Sequence, residues 1–167
     1  VTLPEGISGT WYLNVGTGGP YEFIYTNNNT GHSLGIPVAL SLSPDLVVED
    51  IAGPATAQEG SLVDISWTVF NQGEARAGGS WQDNVILISP SGSTTLLGTY
   101  VYDRGLDAGQ RYTRTEQLRL PSKIEGGWRI QVVTNSLLGT GSGTQVYEHG
   151  AARGNNARTD DQAIVVS

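Results

Sequence analysis

The beginning of this 167-residue chain repeats its end, and that self-similarity restricts the fold to architectures assembled from copies of one unit. Leu3-Pro4, Gly9, Trp11 and Val15 recur as Leu120-Pro121, Gly126, Trp128 and Val132, all at a constant offset of 117 residues. Beyond an insertion, Asn28-Asn29 returns as Asn155-Asn156 at an offset of 127. Pro37-Val38-Ala39-Leu40-Ser41 then parallels the closing Ala163-Ile164-Val165-Val166-Ser167. The order of the matches is kept. The chain therefore reads as the closing strands of one repeat (1–44) followed by one complete repeat (45–167).

The unit itself reads as all-β. Across 61–71, Val63, Ile65, Trp67 and Val69 fall on one face while Asp64, Ser66 and Thr68 fall on the other, the period of a half-buried strand. Trp128, Ile130 and Val132 alternate with Arg129 and Gln131 in the same way. Further strands are expected at 46–51, 84–89, 95–101, 111–120, 145–148 and 162–166, with 10–17, 21–26 and 35–42 closing the preceding copy. Gly53-Pro54, Glu59-Gly60, Asn71-Gln72-Gly73, Pro90-Ser91-Gly92 and Asp107-Ala108-Gly109 supply the turns between them. About seven short strands in one module predict an immunoglobulin- or fibronectin-III-like β-sandwich. Pro44, which cannot donate to a ladder, marks a short and stiff junction.

Several of these segments, taken together and in order, resemble a CARDB module, the cell-adhesion-related domain of bacterial and archaeal surface proteins. They are Pro44-Asp45-Leu46-Val47-Val48, the run Ile65 to Gly73, Trp81-Gln82-Asp83-Asn84-Val85, Leu96-Leu97-Gly98 and Leu106-Asp107-Ala108-Gly109. Leu120-Pro121, Gly127-Trp128, Val146-Tyr147-Glu148 and Asn155-Asn156 continue the pattern. The resemblance implies a sandwich fold, tandem arrangement in a large secreted or surface-attached protein, and no catalytic residues.

Composition narrows the function further. A net charge of −7 argues against nucleic-acid binding, which needs a clustered basic surface. No stretch approaches the roughly 18 apolar residues of a membrane-spanning helix, so no membrane insertion is expected. Cysteine is absent, which removes disulfides and thiolate metal sites. Methionine is absent too, and the chain reads as a processed product or an internal segment. His32 and His149 are the only histidines and lack any zinc-type spacing. Gly139-Thr140-Gly141-Ser142-Gly143 lacks the Lys and the following helix of a phosphate loop, and reads as a hairpin loop.

Two constellations remain. Glu148, Asn155, Asn156, Asp160 and Asp161 gather hard oxygen donors of the kind calcium prefers, and Asp45, Glu49 and Asp50 form a second acidic group near the junction. The same Asn and Asp residues also suit turns, and both readings stand at this point. The other constellation is apolar. Trp11, Leu13 and Val15 belong to strands whose partners are missing from their copy, so they are expected to pack on a neighbouring module or to pair with an identical chain by strand addition. Trp81 follows a Gly-Gly-Ser loop and reads either as core or as a partly exposed ring able to stack on a sugar. The sequence thus points to a non-catalytic structural and adhesive module of an extracellular or cell-surface repeat protein, with no cofactor required. Its partners would be neighbouring modules, identical chains or surface glycans. A calcium- or carbohydrate-binding accessory module of a secreted enzyme is the alternative.

Overall fold

The structure, a computed structural model, describes residues 2–19, 21, 23, 27–136 and 145–167. It divides into two compact units, Val1–Ser41 and Leu42–Ser167. The Gly139–Gly143 loop, and most of the strand expected at 21–26, lie outside the described residues.

The second unit is an all-β sandwich. One sheet has the order β10 (Arg111–Arg119), β7 (Leu62–Asn71), β5 (Leu46–Ala52). The other runs β6 (Thr56–Ala57), β13 (Ile164–Val166), β11 (Gly126–Val133), β8 (Trp81–Ile88), β9 (Thr94–Tyr102), with β12 (Ala157–Thr159) also paired to β11. All ladders are antiparallel except β13 with β6. The core follows from alternation: Val63, Ile65, Trp67 and Val69 of β7 meet Val85 and Leu87 of β8, Ile130 and Val132 of β11, and Ile164 and Val166 of β13, all buried. At roughly 25 cal/mol per Å² of apolar surface, this shared interior is the main stabilising term.

Three local features depart from simple alternation. Strand β8 is buried on both faces; on its outer side Asn84 Nδ2 donates to Ser136 Oγ at 2.8 Å. The expected strand at 145–148 is irregular instead, because Val146 N–H donates to Asn135 Oδ1 (2.7 Å) and Val146 O accepts from Asn135 Nδ2 (2.8 Å). Its backbone is satisfied by one side chain, so no ladder is needed. A 3₁₀ turn, Gly150–Gly154, follows.

The first unit consists of two short ladders, β1 (Gly9–Trp11) with β4 (Ile36–Val38) and β2 (Asn14–Gly16) with β3 (Thr30–His32). The strand expected at 10–17 is thus interrupted at Tyr12-Leu13, where Ser33 Oγ accepts the Leu13 N–H at 3.0 Å and its hydroxyl donates a hydrogen bond to Leu34 O at 2.8 Å.

These ladders share one hydrogen-bonding scheme with β11–β13. The pairs Asn14↔His32, Val15↔Gly31 and Gly16↔Thr30 correspond to Gln131↔Thr159, Val132↔Arg158 and Val133↔Ala157. Gly9↔Val38 and Trp11↔Ile36 correspond to Gly126↔Val166 and Trp128↔Ile164. The flanking bonds Ser33 N–H to Leu13 O and Thr17 N–H to Asn29 O have counterparts in Asp160 N–H to Ile130 O and Thr134 N–H to Asn156 O. Trp11 Nε1 donates to Ser8 O as Trp128 Nε1 donates to Glu125 O. Even the left-handed backbone positions match: Gly6 (φ 76°) with Lys123 (φ 61°), and Gly9 (φ 97°) with Gly126 (φ 89°).

Candidate functional site

Identical pairing in the two hairpins comes with opposite burial. In the sandwich, Ile130 and Val132 are fully buried. Their register equivalents Leu13 and Val15 are 46% and 69% exposed. Trp11 and Ile36 are likewise exposed, whereas Trp128 packs against the core and Ile164 is buried within it. Tyr21, Phe23 and Leu34 add to the apolar surface of the first unit. Trp11, Leu13 and Val15 therefore lie together on one exposed hairpin. Trp81 does not belong with them. It is fully buried, its ring against Tyr102 (4.9 Å between centroids) and its Nε1 donating to Tyr112 Oη at 3.1 Å, so it presents no face to a sugar.

The second constellation surrounds the point where the chain enters the sandwich. Glu148 is buried, and both of its oxygens accept N–H donors. Oε1 takes the Leu46 backbone N–H at 2.5 Å, and Oε2 takes Asn135 Nδ2 and Asn156 Nδ2, each at 2.7 Å. Asn156 Nδ2 also donates to Leu46 O at 2.9 Å, so both backbone groups of the first residue of β5 are held. Burial pushes the Glu148 carboxyl above its usual range, against the lowering influence of these three bonds.

Next to it, Asp45 N–H donates to Asn71 Oδ1 (3.1 Å), Asp45 O accepts Gln72 N–H (2.9 Å), and Asp45 Oδ1 accepts Asn155 Nδ2 (2.9 Å). Asn71 Nδ2 reaches Ala75 O and Leu106 O. Gly73 is obligatory here, because a Cβ would lie 2.5 Å from Asp45 N and 2.6 Å from Ser43 O. The arrangement is a clasp that fixes the strand start immediately after the junction.

Of the five residues with calcium-type donors, the structure thus brings Glu148 and Asn156 into direct contact and ties Asn155 to Asp45. Asp160 instead caps its own turn, Oδ1 accepting Gln162 N–H at 3.0 Å, and Asp161 is exposed. Among the described residues no group of three or more His, Cys, Asp or Glu is gathered as a metal site. In the acidic group at the junction, Glu49 forms an exposed bidentate pair with Arg111 at 2.6 and 2.8 Å. That pairing holds the Glu49 carboxyl below its usual range. Asn71 and Asn135 are the participants that sequence reasoning missed. Asn71-Gln72-Gly73 was visible as a turn signal and as part of the CARDB-like run, with no site role, and Asn135, at φ 49°, carried no motif at all.

A third polar centre lies inside the core. Asp83 on β8 is fully buried; Oδ2 accepts Trp67 Nε1 (2.8 Å) and Tyr112 Oη (2.7 Å), and Oδ1 accepts Thr134 Oγ1 (2.7 Å). The carboxyl ties both sheets together, and burial raises its pKa. With both oxygens accepting hydrogen bonds in the interior, the carboxylate pins the two sheets of the sandwich together.

Against known proteins, the CARDB family model matches residues 43–137. The CARDB domain of a Pyrococcus furiosus protein, crystallised in complex with di-metal ions, is 21% identical with a TM-score of 0.51, over 75% of this chain and 90% of that one. A solution structure of the same archaeal domain is 20% identical with a TM-score of 0.49, over 74% and 95% of the two chains. A β-glucosidase from Thermotoga neapolitana is 13% identical with a TM-score of 0.42, over 54% of this chain and 14% of the enzyme. Among curated proteins none matches.

Proposed function

The chain belongs to the CARDB family, a non-catalytic adhesion-related class of domain, and we propose that it is a spacing and contact module of an extracellular repeat protein. One observation carries the reading: the hairpin of Val1–Ser41 has the pairing scheme of closing sandwich strands while its core-facing residues Leu13 and Val15 are open to solvent. Covering those residues by another module, or by an identical chain, would remove apolar surface from water and join units end to end. The clasp at Asp45, Leu46 and Glu148 fits a spacing role, since it anchors the first strand of the second unit within its own sandwich.

Light scattering on the full chain and on 42–167 tests this. The full chain is expected to self-associate with rising concentration while 42–167 stays monomeric. Two monomers of equal behaviour would refute the adhesive role of the hairpin.

A further inference from the structure

Resting on that contact-module reading, we infer that the open hairpin takes a second copy of itself: β2 pairs antiparallel with β2 of an identical chain, across a two-fold axis at Asn14. The ladder shows which backbone groups are available. Leu13 O accepts Ser33 N–H and Thr17 N–H donates to Asn29 O, so residues 13, 15 and 17 turn their backbone groups toward β3. Tyr12, Asn14 and Gly16 turn theirs to the opposite side, where no strand pairs with them among the described residues. All three are exposed. Nothing guards this edge, since residues 6–19 hold neither a charge nor a proline. The edges of the sandwich differ. β10 carries Arg111, Arg114, Glu116 and Arg119, and β5 carries Glu49 and Asp50 at a register shift. The edge of β9 is uncharged, but Arg114 reaches across to it and its Nη1 donates to Val101 O at 2.9 Å.

The sequence of the edge is complementary to itself, and that is what selects an identical chain as the occupant. Asn14 is the middle of the three outward-facing residues. A register centred on it sets Tyr12 opposite the partner's Gly16 and Asn14 opposite the partner's Asn14, each pair exchanging both backbone bonds. The largest side chain of the edge then stands against the residue with none, and a Cβ on Gly16 would meet nothing within 4 Å, which leaves room for the incoming ring. In the alternate, closer pairs Leu13 faces the partner's Val15. A two-fold axis normal to the sheet does not turn it over, so both copies keep these residues on one face. Each apolar side chain, 46% and 69% exposed in the single chain, thereby gains an apolar neighbour across the strands. No charge opposes the approach. Because both copies use the same edge, the contact closes after two chains.

The chain has no cysteine, so disulfide cross-linking reads the register directly. Leu13→Cys and Val15→Cys variants of the full chain are oxidised separately and as a mixture. In the mixture the two thiols stand directly opposite, with Cα atoms about 4.5 Å apart and within disulfide reach. In either variant alone they lie on a diagonal of roughly 7–8 Å, at or beyond the limit. The mixture is expected to form its bridge at least about tenfold faster than either variant alone. Equal rates, or no bridge in a mixture that light scattering shows to associate, would overturn the register and leave the contact-module reading standing. Amide exchange on the unmodified chain at rising concentration guards against substitutions that weaken association. Protection at 12, 14 and 16 should rise at least about tenfold as the scattering mass doubles. Unchanged exchange there while the mass grows would overturn the inference, and growth past two chains would overturn the two-fold closure. A chain that stays monomeric throughout refutes self-association itself, and the contact-module reading with it.

Discussion

Replacing Glu148 by Gln and Asp83 by Asn should have very different consequences, although each change swaps one buried carboxyl for its amide. Every group facing Glu148 is an N–H donor whose direction is fixed. Leu46 donates from the backbone, Asn135 is locked by its two bonds to Val146, and Asn156 is locked by its bond to Leu46 O. A Gln side chain must point its NH₂ at one of these donors. With Nε2 toward Leu46 one bond is lost, and with Nε2 toward the two asparagines two are lost. Each stranded buried donor costs about 1–3 kcal/mol and the remaining bonds lose their charge assistance, so Glu148→Gln should cost about 2–4 kcal/mol. For a unit of this size, where 1 kcal/mol moves Tm by about 3 °C, that is a fall of about 6–12 °C. At Asp83, by contrast, Oδ1 faces only the Thr134 hydroxyl, which can rotate to accept, while Oδ2 keeps Trp67 and Tyr112. Asp83→Asn preserves all three contacts and should cost less than about 1 kcal/mol. Thermal melting of the full chain by near-ultraviolet circular dichroism at pH 8 measures both. A Glu148→Gln melt within about 2 °C of the parent, or two variants of equal cost, would refute the assignment of donors and acceptors.

Both carboxyls are raised by burial, so between the unfolded and folded values the native state binds more protons than the unfolded chain. Their contribution is fully present below the unfolded values near 4 and is lost as pH rises through the folded values. Titrating Tm upward from about pH 4 should therefore show Asp83→Asn gaining on the parent, its deficit shrinking as pH rises; a deficit that grows with pH contradicts the burial argument. Gly73→Ala should destabilise by about 2–3 kcal/mol, because its methyl meets backbone atoms of Pro44 and Asp45. Gly78→Ala, with nothing within 4 Å, is the control and should cost under about 0.5 kcal/mol in denaturant titration. Lys123→Gly should be neutral or stabilising by up to about 1 kcal/mol, since Lys123 occupies a left-handed position where Gly6 stands in the first hairpin. A loss above about 1 kcal/mol on chemical denaturation would show the left-handed strain to be negligible.

Most of the sandwich was legible because alternation reports burial directly. The residues Val63, Ile65, Trp67 and Val69 face the core as their spacing requires. Two kinds of feature escaped. Short pairings such as β6 and β12 carry no period of their own and exist because β13 and β11 offer edges to them. The clasp escaped for a different reason: its bonds join Leu46 to residues roughly a hundred positions away, and a buried glutamate is indistinguishable in sequence from a solvated one. The acidic residues at 148–161 looked like one donor set, yet only Glu148 faces inward; Asp160 serves its own turn and Asp161 is exposed. Trp81 was ambiguous after its Gly-Gly-Ser loop until the Tyr102 and Tyr112 rings closed over it.

The central claim is that the first hairpin shares the pairing scheme of β11 with β12 and β13 while its outer edge and apolar face stay open. Amide exchange on the dilute, unmodified chain tests it at register-matched positions. Residues 129, 131 and 133 face β8 and should exchange slowly, while 12, 14 and 16 should exchange close to the rate of an open strand. Equal protection at both sets in a monomeric chain would contradict the account.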